Sequence, residues 1–272
     1  MAKGWLDTPL DLTGKRVWVA GHAGMVGAAL LRRLEREPCE VITSSRANLD
    51  LRDQLATREW VGAHKPDIVI LAAARVGGIL DNANNPADFL YDNLMIEANV
   101  IHAAHKAAVG KLLFLGSSCI YPKNAANPIT EDALLSGALE PTNEAYAIAK
   151  IAGLKLCQSY RSQHTLDFIS AMPCNLYGPG DTYNEVRSHV IPALMMKAHS
   201  AKINAAKVME VWGSGAPRRE FLYVDDLADA LVFMLQNYSD DAPLNIGAGV
   251  DISIKDLARK IASVGGLGGA RV

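Results

Sequence analysis

Residues 15–27 read KRVWVAGHAGMVG: a short run rich in β-branched and aromatic residues, then three glycines spaced three apart. The run before the glycines predicts a strand. A helix with leucines on its inner side is predicted to follow, from Ala28 to about Arg36. Strand, glycine turn and helix in this order are what a dinucleotide-binding fingerprint requires, and a plain strand-to-helix turn is the alternative.

Each glycine of this turn has a predicted task. Gly21 permits the tight turn, Gly24 lets the backbone approach a pyrophosphate, and Gly27 allows the helix to pack close to the strand. The free N–H groups at the start of the helix would then bind the pyrophosphate. The turn therefore predicts a dinucleotide cofactor.

The residues after the second predicted strand, 40–43, indicate which dinucleotide is bound. NAD enzymes usually carry an acidic residue at this point, where it binds the ribose 2′-OH. This chain has Ser-Ser-Arg at 44–46 instead, which suits the 2′-phosphate of NADP through a charge-assisted contact. We therefore predict NADP (NADPH), the alternative being that Arg46 is a solvated loop residue. Asp50 and Leu51 are predicted to approach the adenine.

The chain then alternates predicted strands and helices, as expected of a parallel sheet covered by helices on both faces. Strands are predicted at 66–74, 111–115 and 167–172, and a long helix at 86–108. We therefore predict an α/β fold, a Rossmann-type doubly wound parallel sheet.

The regular alternation loosens from about residue 180, where turns and a helix from Val190 to Lys207 are predicted. We interpret residues 1–179 as an NADP-binding Rossmann domain to which some later segments return. Residues 180–272 are predicted to form a smaller α/β substrate-binding lobe.

Tyr146 and Lys150 lie four residues apart in a predicted helix and therefore share one face of it. A lysine ammonium beside a phenol favours the phenolate and is expected to lower the pKa of the tyrosine from about 10. Such a tyrosine can exchange a proton with a carbonyl or an alcohol. For this spacing alone, a surface helix pair is the alternative.

Composition and charge exclude several classes of protein. The 272 residues include 27 basic and 29 acidic ones, with a formal net charge of −2, so no overall positive field would hold nucleic acid or an anionic membrane. No apolar run is long enough to predict a signal sequence or a membrane span. Four scattered cysteines without a CxxC pair predict neither a metal site nor a disulfide framework. We interpret Cys39, Cys157 and Cys174 as buried, reduced thiols in a cytoplasmic protein.

A glycine-rich first turn, a serine after the fourth strand and a Tyr-x-x-x-Lys motif are together typical of the extended short-chain dehydrogenase/reductase family, which the chain resembles from about residue 15 to 260. Several blocks resemble more narrowly the branch that converts GDP-4-keto-6-deoxy-D-mannose to GDP-L-fucose. These blocks are GHAGMVG at 21–27, LGSSCIYPK at 115–123, LEPTNE at 139–144, SHVIPAL at 188–194, VWGSG at 211–215 and REFL at 219–222. Members of that branch continue past Val272, so we expect the substrate lobe to be incomplete at its C-terminus.

The resemblance implies a two-step reaction, in which C3 and C5 are epimerised and the C4 keto group is then reduced with NADPH. Protons at C3 and C5 both lie next to the C4 carbonyl, so their removal gives an enolate that hydrogen bonds stabilise. Inversion needs a base and an acid on opposite faces, and the resemblance implies Cys119 as the base and His189 as the acid. A thiolate is favoured beside positive charge, and an imidazole ordinarily titrates near neutral pH. Without the resemblance, Cys119 would be an inert thiol and His189 a loop or capping residue.

For the reduction, the resemblance implies that Ser117 hydrogen-bonds the C4 carbonyl, with Ser118 as the alternative. Tyr146 would protonate the carbonyl oxygen. Lys150 would lower the pKa of Tyr146 and hold the nicotinamide ribose.

The resemblance also implies residues that bind the GDP-sugar. Lys197 and Arg219 would meet its diphosphate, and Trp212 would offer a ring face or an indole N–H to its nucleotide. The cofactor-binding candidates are Gly21, His22, Ala23, Gly24, Met25, Val26, Gly27, Arg46, Asp50, Leu51, Leu115, Gly116, Ser117, Ser118, Lys150, Pro173, Asn175, Leu176 and His189.

A homodimer is implied as well, through helices at about 86–108 and 145–162 packing as a four-helix bundle. One rival interpretation is another NAD(P)-dependent nucleotide-sugar epimerase or 4-keto reductase, which would not need the Cys119–His189 pair. A second rival is a non-catalytic NADP-sensing protein, which would have no need of Tyr146 and Lys150.

Overall fold

The computed structural model describes residues 4–184, 188–206 and 208–267. Its strands are β1 (Arg16–Ala20), β2 (Glu40–Ile42), β3 (Ile68–Leu71), β4 (Lys111–Leu115), β5 (Asp167–Pro173), β6 (Asn175–Tyr177), β7 (Arg218–Tyr223), β8 (Leu244–Ile246) and β9 (Asp251–Ser253). Its helices are α1 (Met25–Leu34), α2 (Gln54–His64), α3 (Ile79–Asn84), α4 (Pro86–Lys106), α5 (Glu144–His164), α6 (Val190–Ile203), α7 (Val224–Asn237) and α8 (Ile254–Val264).

Six strands form one parallel sheet in the order β2-β1-β3-β4-β5-β8. All residues of β3 and β4 are buried. Apart from Lys111 at the start of β4 they are apolar, as expected of strands covered on both faces. The helices lie on both sides of this sheet. The predicted Rossmann-type doubly wound fold is therefore confirmed.

Strand β1 shows how the two layers of the core form. Val17 and Val19 pack with α1 and α7 on one face, whereas Trp18 and Ala20 pack with α2, α4 and α5 on the other. This division follows from the alternation of side chains along a strand. The sheet thus has an apolar core on each face, and its helices are held in place by side chains of the same strand.

The later part of the chain contributes to two structures. Strand β8 pairs with β5 at the edge of the large sheet, and α7 packs against α1. In contrast, β6, β7 and β9 form a separate three-stranded sheet. A third apolar core lies between α6 and α8 and includes Leu194 and Leu257.

Two helices depart from the sequence-based expectations. Helix α1 begins at Met25 rather than Ala28, because Gly24 is extended and immediately precedes the first helical residue. The short helix α3 lies between β3 and α4, where no helix was predicted from the sequence, and the extended Gly78 precedes it. Each helix begins directly after a glycine, so the loop before it is shorter than the sequence suggested.

Helix α2 had no counterpart in the sequence-based prediction, although Asp53 caps it by accepting a hydrogen bond from the Ala56 N–H at 3.0 Å. Helix α6 ends at Ile203, whereas the prediction extended to Lys207, which lies outside the described residues. Within the part of the chain that the structure describes, no helix has the length and apolar character needed to cross a membrane.

Candidate active site

The candidate residues gather where parallel strands end. The glycine turn follows β1, the segment containing Ser117 and Cys119 follows β4, and residues 174–176 follow β5. Since β1, β3, β4 and β5 are parallel neighbours, these segments share one edge of the sheet. Ligands of doubly wound folds bind at this edge.

The glycine turn is built from two close backbone contacts and one open position. Gly21 has a φ of +91°, and a Cβ there would lie 2.6 Å from the backbone of Ala73. A Cβ on Gly27 would lie 2.1 Å from the Gly21 carbonyl oxygen, so the helix could not start so close to the strand with a larger residue. A Cβ on Gly24 would meet only the Gly21 oxygen, at 3.5 Å. The backbone at Gly24 is therefore open to the approach of a ligand.

The start of α1 fits an anionic cofactor group. No acidic residue lies in its first turn, and its N-cap, Gly24, has no side chain that could cap the N–H groups. These groups therefore suit a diphosphate. Ala23 and Gly24 are exposed. The Nδ1 atom of His22 is buried without a hydrogen-bond partner among the described residues. These features fit the pyrophosphate of a dinucleotide.

The cofactor-binding candidates Asp50 and Arg46 differ in whether the side chain already has a charged partner. Asp50 forms an ion pair with Arg52, with 2.6 Å between Oδ2 and Nη2, and hydrogen bonds from Arg52 lower the pKa of Asp50 to about 2. Arg46 is exposed and adds a smaller electrostatic contribution to the same shift. Asp50 is thus occupied by Arg52, whereas the guanidinium of Arg46 faces solvent.

Ser117 and Cys119 lie in a tight turn directly after β4. The Ser117 Oγ accepts a hydrogen bond from the Cys119 N–H at 3.4 Å, and residues 117–119 are only partly exposed. Burial raises the pKa of the Cys119 thiol to about 11, although Ser117 and the charge of Lys150 act in the opposite direction. The positive charge of Lys150 thus favours the Cys119 thiolate, as expected, but desolvation of the thiol outweighs it.

Tyr146 and Lys150 occupy one face of α5, with the Lys150 Nζ 5.8 Å from the Tyr146 ring centroid. The pKa of Tyr146 is well above its ordinary value because of burial, and the charges of Cys119 and Glu97 raise it further. The expected lowering by Lys150 is thus wrong for this structure. The ammonium has a counter-ion of its own, since the Glu97 Oε1 lies 2.9 Å from the Lys150 Nζ.

Cys119, Tyr146, Lys150 and Glu97 form one group, which we call the β4–α5 cluster. Charge on Cys119 acts on Tyr146, and charges on Lys150 and Glu97 act on Cys119. The Phe89 ring meets Tyr146 edge-on at 6.4 Å between centroids. A thiol, a phenol and a buried ammonium thus stand together beside the serine at the end of β4, where they can exchange protons with a bound carbonyl compound.

His189 lies at the start of α6. It immediately precedes α6, is exposed, and places its Nδ1 4.0 Å from the Oδ1 of the buried Asp181. The hydrogen bonds and ion pairs described for it do not include Cys119 or Tyr146. His189 therefore lies at the exposed start of α6, close to the carboxylate of Asp181, which was not among the residues predicted from the sequence.

Two of the three substrate-binding candidates are in contact. The Lys197 Nζ lies 4.2 Å from the ring centroid of the exposed Trp212, a cation–π contact. Arg219 belongs to β7 and donates from Nη1 to the carbonyl of its neighbour Arg218 at 2.7 Å. Its exposed guanidinium still has donors free for an anion.

The remaining cofactor candidates line the ends of β4 and β5. Leu115 ends β4, and a Cβ on Gly116 would lie 2.3 Å from the Met172 sulfur. Pro173 is the last residue of β5, whereas Asn175 and Leu176 begin β6. The Asn175 side chain donates to the Glu220 carbonyl at 2.9 Å.

Sequence reasoning missed Glu97 and Asp181. Glu97 lies four residues after the buried Asn93 and four before the buried Ile101, so helical spacing places an acidic residue on the inner face of α4. An acid at such a position is a usable signal, because a buried carboxylate needs a partner. Asp181 follows a glycine and carries no comparable pattern.

Comparison with known proteins gives a consistent picture. Residues 17–247 match the NAD dependent epimerase/dehydratase family. The chain is 58% identical to the GDP-L-fucose synthase of Sinorhizobium fredii over 95% of this chain and 82% of that one. It is 50% identical to the GDP-L-fucose synthase of Escherichia coli over 95% of this chain and 84% of the relative. A solved GDP-L-fucose synthetase from Naegleria fowleri bound to NADP superposes with a TM-score of 0.88 at 30% identity, covering 100% of this chain and 85% of that one.

Proposed function

This chain belongs to the NAD dependent epimerase/dehydratase family, among its GDP-L-fucose synthases, and from that premise we propose that it converts GDP-4-keto-6-deoxy-D-mannose to GDP-L-fucose with NADPH. The observation that carries the proposal is the β4–α5 cluster, in which the thiol of Cys119 stands beside Tyr146 and Lys150. A simple keto reductase needs the phenol and the ammonium, but it has no use for the thiol.

In the reductive step, NADPH supplies the hydride to C4 when it is bound. Ser117 donates a hydrogen bond to the C4 carbonyl, and Tyr146 transfers its phenolic proton to the oxygen. Because burial keeps the pKa of Tyr146 high, this proton is present throughout the neutral range. Lys150 holds its ammonium 5.8 Å from the phenol ring, where it stabilises the phenolate that the transfer leaves.

In the epimerising step, Cys119 removes a proton from C3 or C5, and His189 returns one to the opposite face. The C4 carbonyl accepts the charge as an enolate, which the Ser117 hydroxyl and the Tyr146 phenol stabilise by hydrogen bonds. His189 must approach the substrate from the start of α6, where its ring is exposed.

We infer that the GDP moiety binds to the later part of the chain. In this arrangement residues 1–179, joined by β8 and α7, form the cofactor-binding domain, and the rest of residues 180–272 form the substrate lobe. Arg219 and Lys197 bind the diphosphate, and Trp212 packs against the nucleotide. The contact between Lys197 and Trp212 supports this assignment, since it already joins two of the three residues.

A coupled assay with product identification tests this function. Addition of GDP-4-keto-6-deoxy-D-mannose to the purified chain with NADPH should decrease the NADPH absorbance, and NMR should identify GDP-L-fucose. A product reduced at C4 without inversion at C3 and C5 would show a 4-keto reductase. No NADPH oxidation, with NADPH still bound, would point to a cofactor-sensing protein and would overturn the proposal.

We further propose that the chain forms a homodimer through the outer faces of α4 and α5. Tyr91 and Ile148 are large apolar residues that these helices leave exposed, and their burial would favour association. Light scattering should then give the mass of two chains, and the mass of one chain would contradict the homodimer.

We also propose a cytoplasmic location, where the free cysteines stay reduced. Recovery of the native protein from the secreted fraction would contradict this location.

Changing Arg46→Asp should shift cofactor preference from NADPH toward NADH. The exposed guanidinium would lose its charge-assisted contact with the 2′-phosphate, and the new carboxylate would repel it, so NADPH affinity should fall by about tenfold or more. Cofactor fluorescence titrations measure both affinities. The matched control is Arg36→Asp, an equally exposed charge reversal in the turn after α1, which should leave both affinities unchanged. Unaltered NADPH binding by the Arg46 variant would refute the assignment.

A further inference from the structure

Glu97 is a carboxylate enclosed between two helices. It is 1% exposed on α4, and its Oε1 lies 2.9 Å from the Nζ of Lys150, which is itself 2% exposed on α5. Its Oε2 is buried without a hydrogen-bond donor among the described residues. The carboxylate therefore has a single charged partner, the ammonium beside Tyr146.

The packing of α5 leaves space for this carboxylate. A Cβ on Gly153 would lie 2.5 Å from the Glu97 Oε2 and 2.6 Å from the Phe114 ring, so any larger residue would displace one of them. Lys150 also donates to the Leu115 carbonyl at 2.9 Å and lies 4.9 Å from the Phe114 ring centroid. The ammonium thus has three neighbours, and of these Glu97 is the one that carries a full negative charge.

We propose that Glu97 is a positioning residue for the reduction, which holds the Lys150 ammonium at the end of β4 beside Tyr146. The inference rests on the proposed function, because it assigns Glu97 a part in that reaction. Its physical basis is the cost of burying an ammonium alone, which loses its proton or moves toward solvent unless a counter-ion is present. Glu97 touches neither cofactor nor substrate and acts through Lys150.

The charges that face Glu97 all belong to the surrounding elements. Lys150, Tyr146 and Cys157 come from α5, and Cys119 comes from the turn after β4. Burial raises the pKa of Glu97, and Lys150 opposes this shift. The charge of Glu97 also raises the pKa of Tyr146. Removing this charge would make the Tyr146 phenolate less unfavourable, so Tyr146 would lose its proton at lower pH.

The test is the pH dependence of kcat for NADPH oxidation by Glu97→Gln with GDP-4-keto-6-deoxy-D-mannose. We expect the alkaline decline in kcat to move to lower pH by about one unit or more. Glu97→Asp, which retains the charge, should lower kcat and leave the alkaline decline near its wild-type position. The matched control is Asp92→Asn on the same helix. Its carboxylate pairs with Arg52 and Arg75 instead, so the decline should not move.

A Glu97→Gln variant that loses activity at every pH without a shift of the alkaline decline would overturn the inference, because that result indicates a packing role alone. Thermal unfolding gives a readout that does not depend on the substrate. Glu97→Gln and Lys150→Met should each unfold at lower temperature than the wild type, and the double variant should recover most of the loss. Additive losses would refute the ion pair.

These measurements also separate the inference from the proposed function. If the wild-type chain does not oxidise NADPH with the keto sugar, the proposed function fails and the role of Glu97 in turnover fails with it, whereas the unfolding cycle still decides whether the pair holds Lys150. If Glu97→Gln does not fold but the double variant does, the lone ammonium is the cause. The pH profile of Glu97→Asp then decides the role in turnover, and a displaced decline in that variant would overturn it.

Discussion

Changing Tyr146→Phe should reduce NADPH oxidation by a factor of about 10²–10⁴, the usual loss when a general acid is removed. The phenolic proton is the one that reaches the C4 oxygen, and phenylalanine retains the ring while deleting that proton. The Phe89 contact at 6.4 Å is a ring contact and should survive the change. Stopped-flow absorbance under single-turnover conditions measures the hydride step directly.

The same variant should still exchange protons at C3 and C5, because Cys119 and His189 remain. Incorporation of deuterium from D2O into the keto sugar measures that exchange by mass spectrometry. The matched control is Tyr91→Phe, which removes an exposed hydroxyl from α4 and should leave the single-turnover rate unchanged. Hydride transfer at the wild-type rate in Tyr146→Phe would assign the proton donor elsewhere.

Changing Cys119→Ser should slow deuterium exchange at C3 and C5 by about 10² or more, which is in the range for a lost general base. A serine hydroxyl holds its proton far more tightly than a thiol does, although it fills nearly the same volume. Hydride transfer should be affected far less, since Tyr146, Lys150 and Ser117 are untouched. Cys39→Ser, a similar change in a partly buried cysteine before β2, serves as the control and should leave both steps unchanged.

Equal losses of exchange and hydride transfer in Cys119→Ser would contradict the role of Cys119 as the base. The wild-type pH profile supplies a second criterion. Because burial raises the pKa of Cys119 to about 11, the thiolate fraction increases about tenfold per pH unit below that value. Exchange should therefore accelerate between pH 7 and 9, and a flat profile would exclude a thiolate formed in the free protein.

Much of the fold could be predicted from the sequence because the relevant signals are local. The strand, glycine turn and helix at 15–34, the buried strand at 111–115, and the helix that carries Tyr146 and Lys150 all depend on the periodicity and conformational preferences of neighbouring residues. The same local signals were enough to predict that Ser117 and Cys119 follow the end of a strand. Short helices such as α3 escaped prediction, since six residues contain too few turns to show a period.

The sequence by itself thus determined the Rossmann architecture and the residues that stand at the ends of its strands. Only the tertiary structure decided the electrostatics of the cluster, because these depend on burial and on which helices pack together. Glu97 meets Lys150 across the α4–α5 contact, so the ammonium has a counter-ion that the four-residue spacing of Tyr146 and Lys150 does not reveal. Burial then raises the pKa of Tyr146, which the local pattern predicted would fall, and it raises the pKa of Cys119 as well. A motif shows which side chains are neighbours, but the low-dielectric interior decides which of them hold their protons.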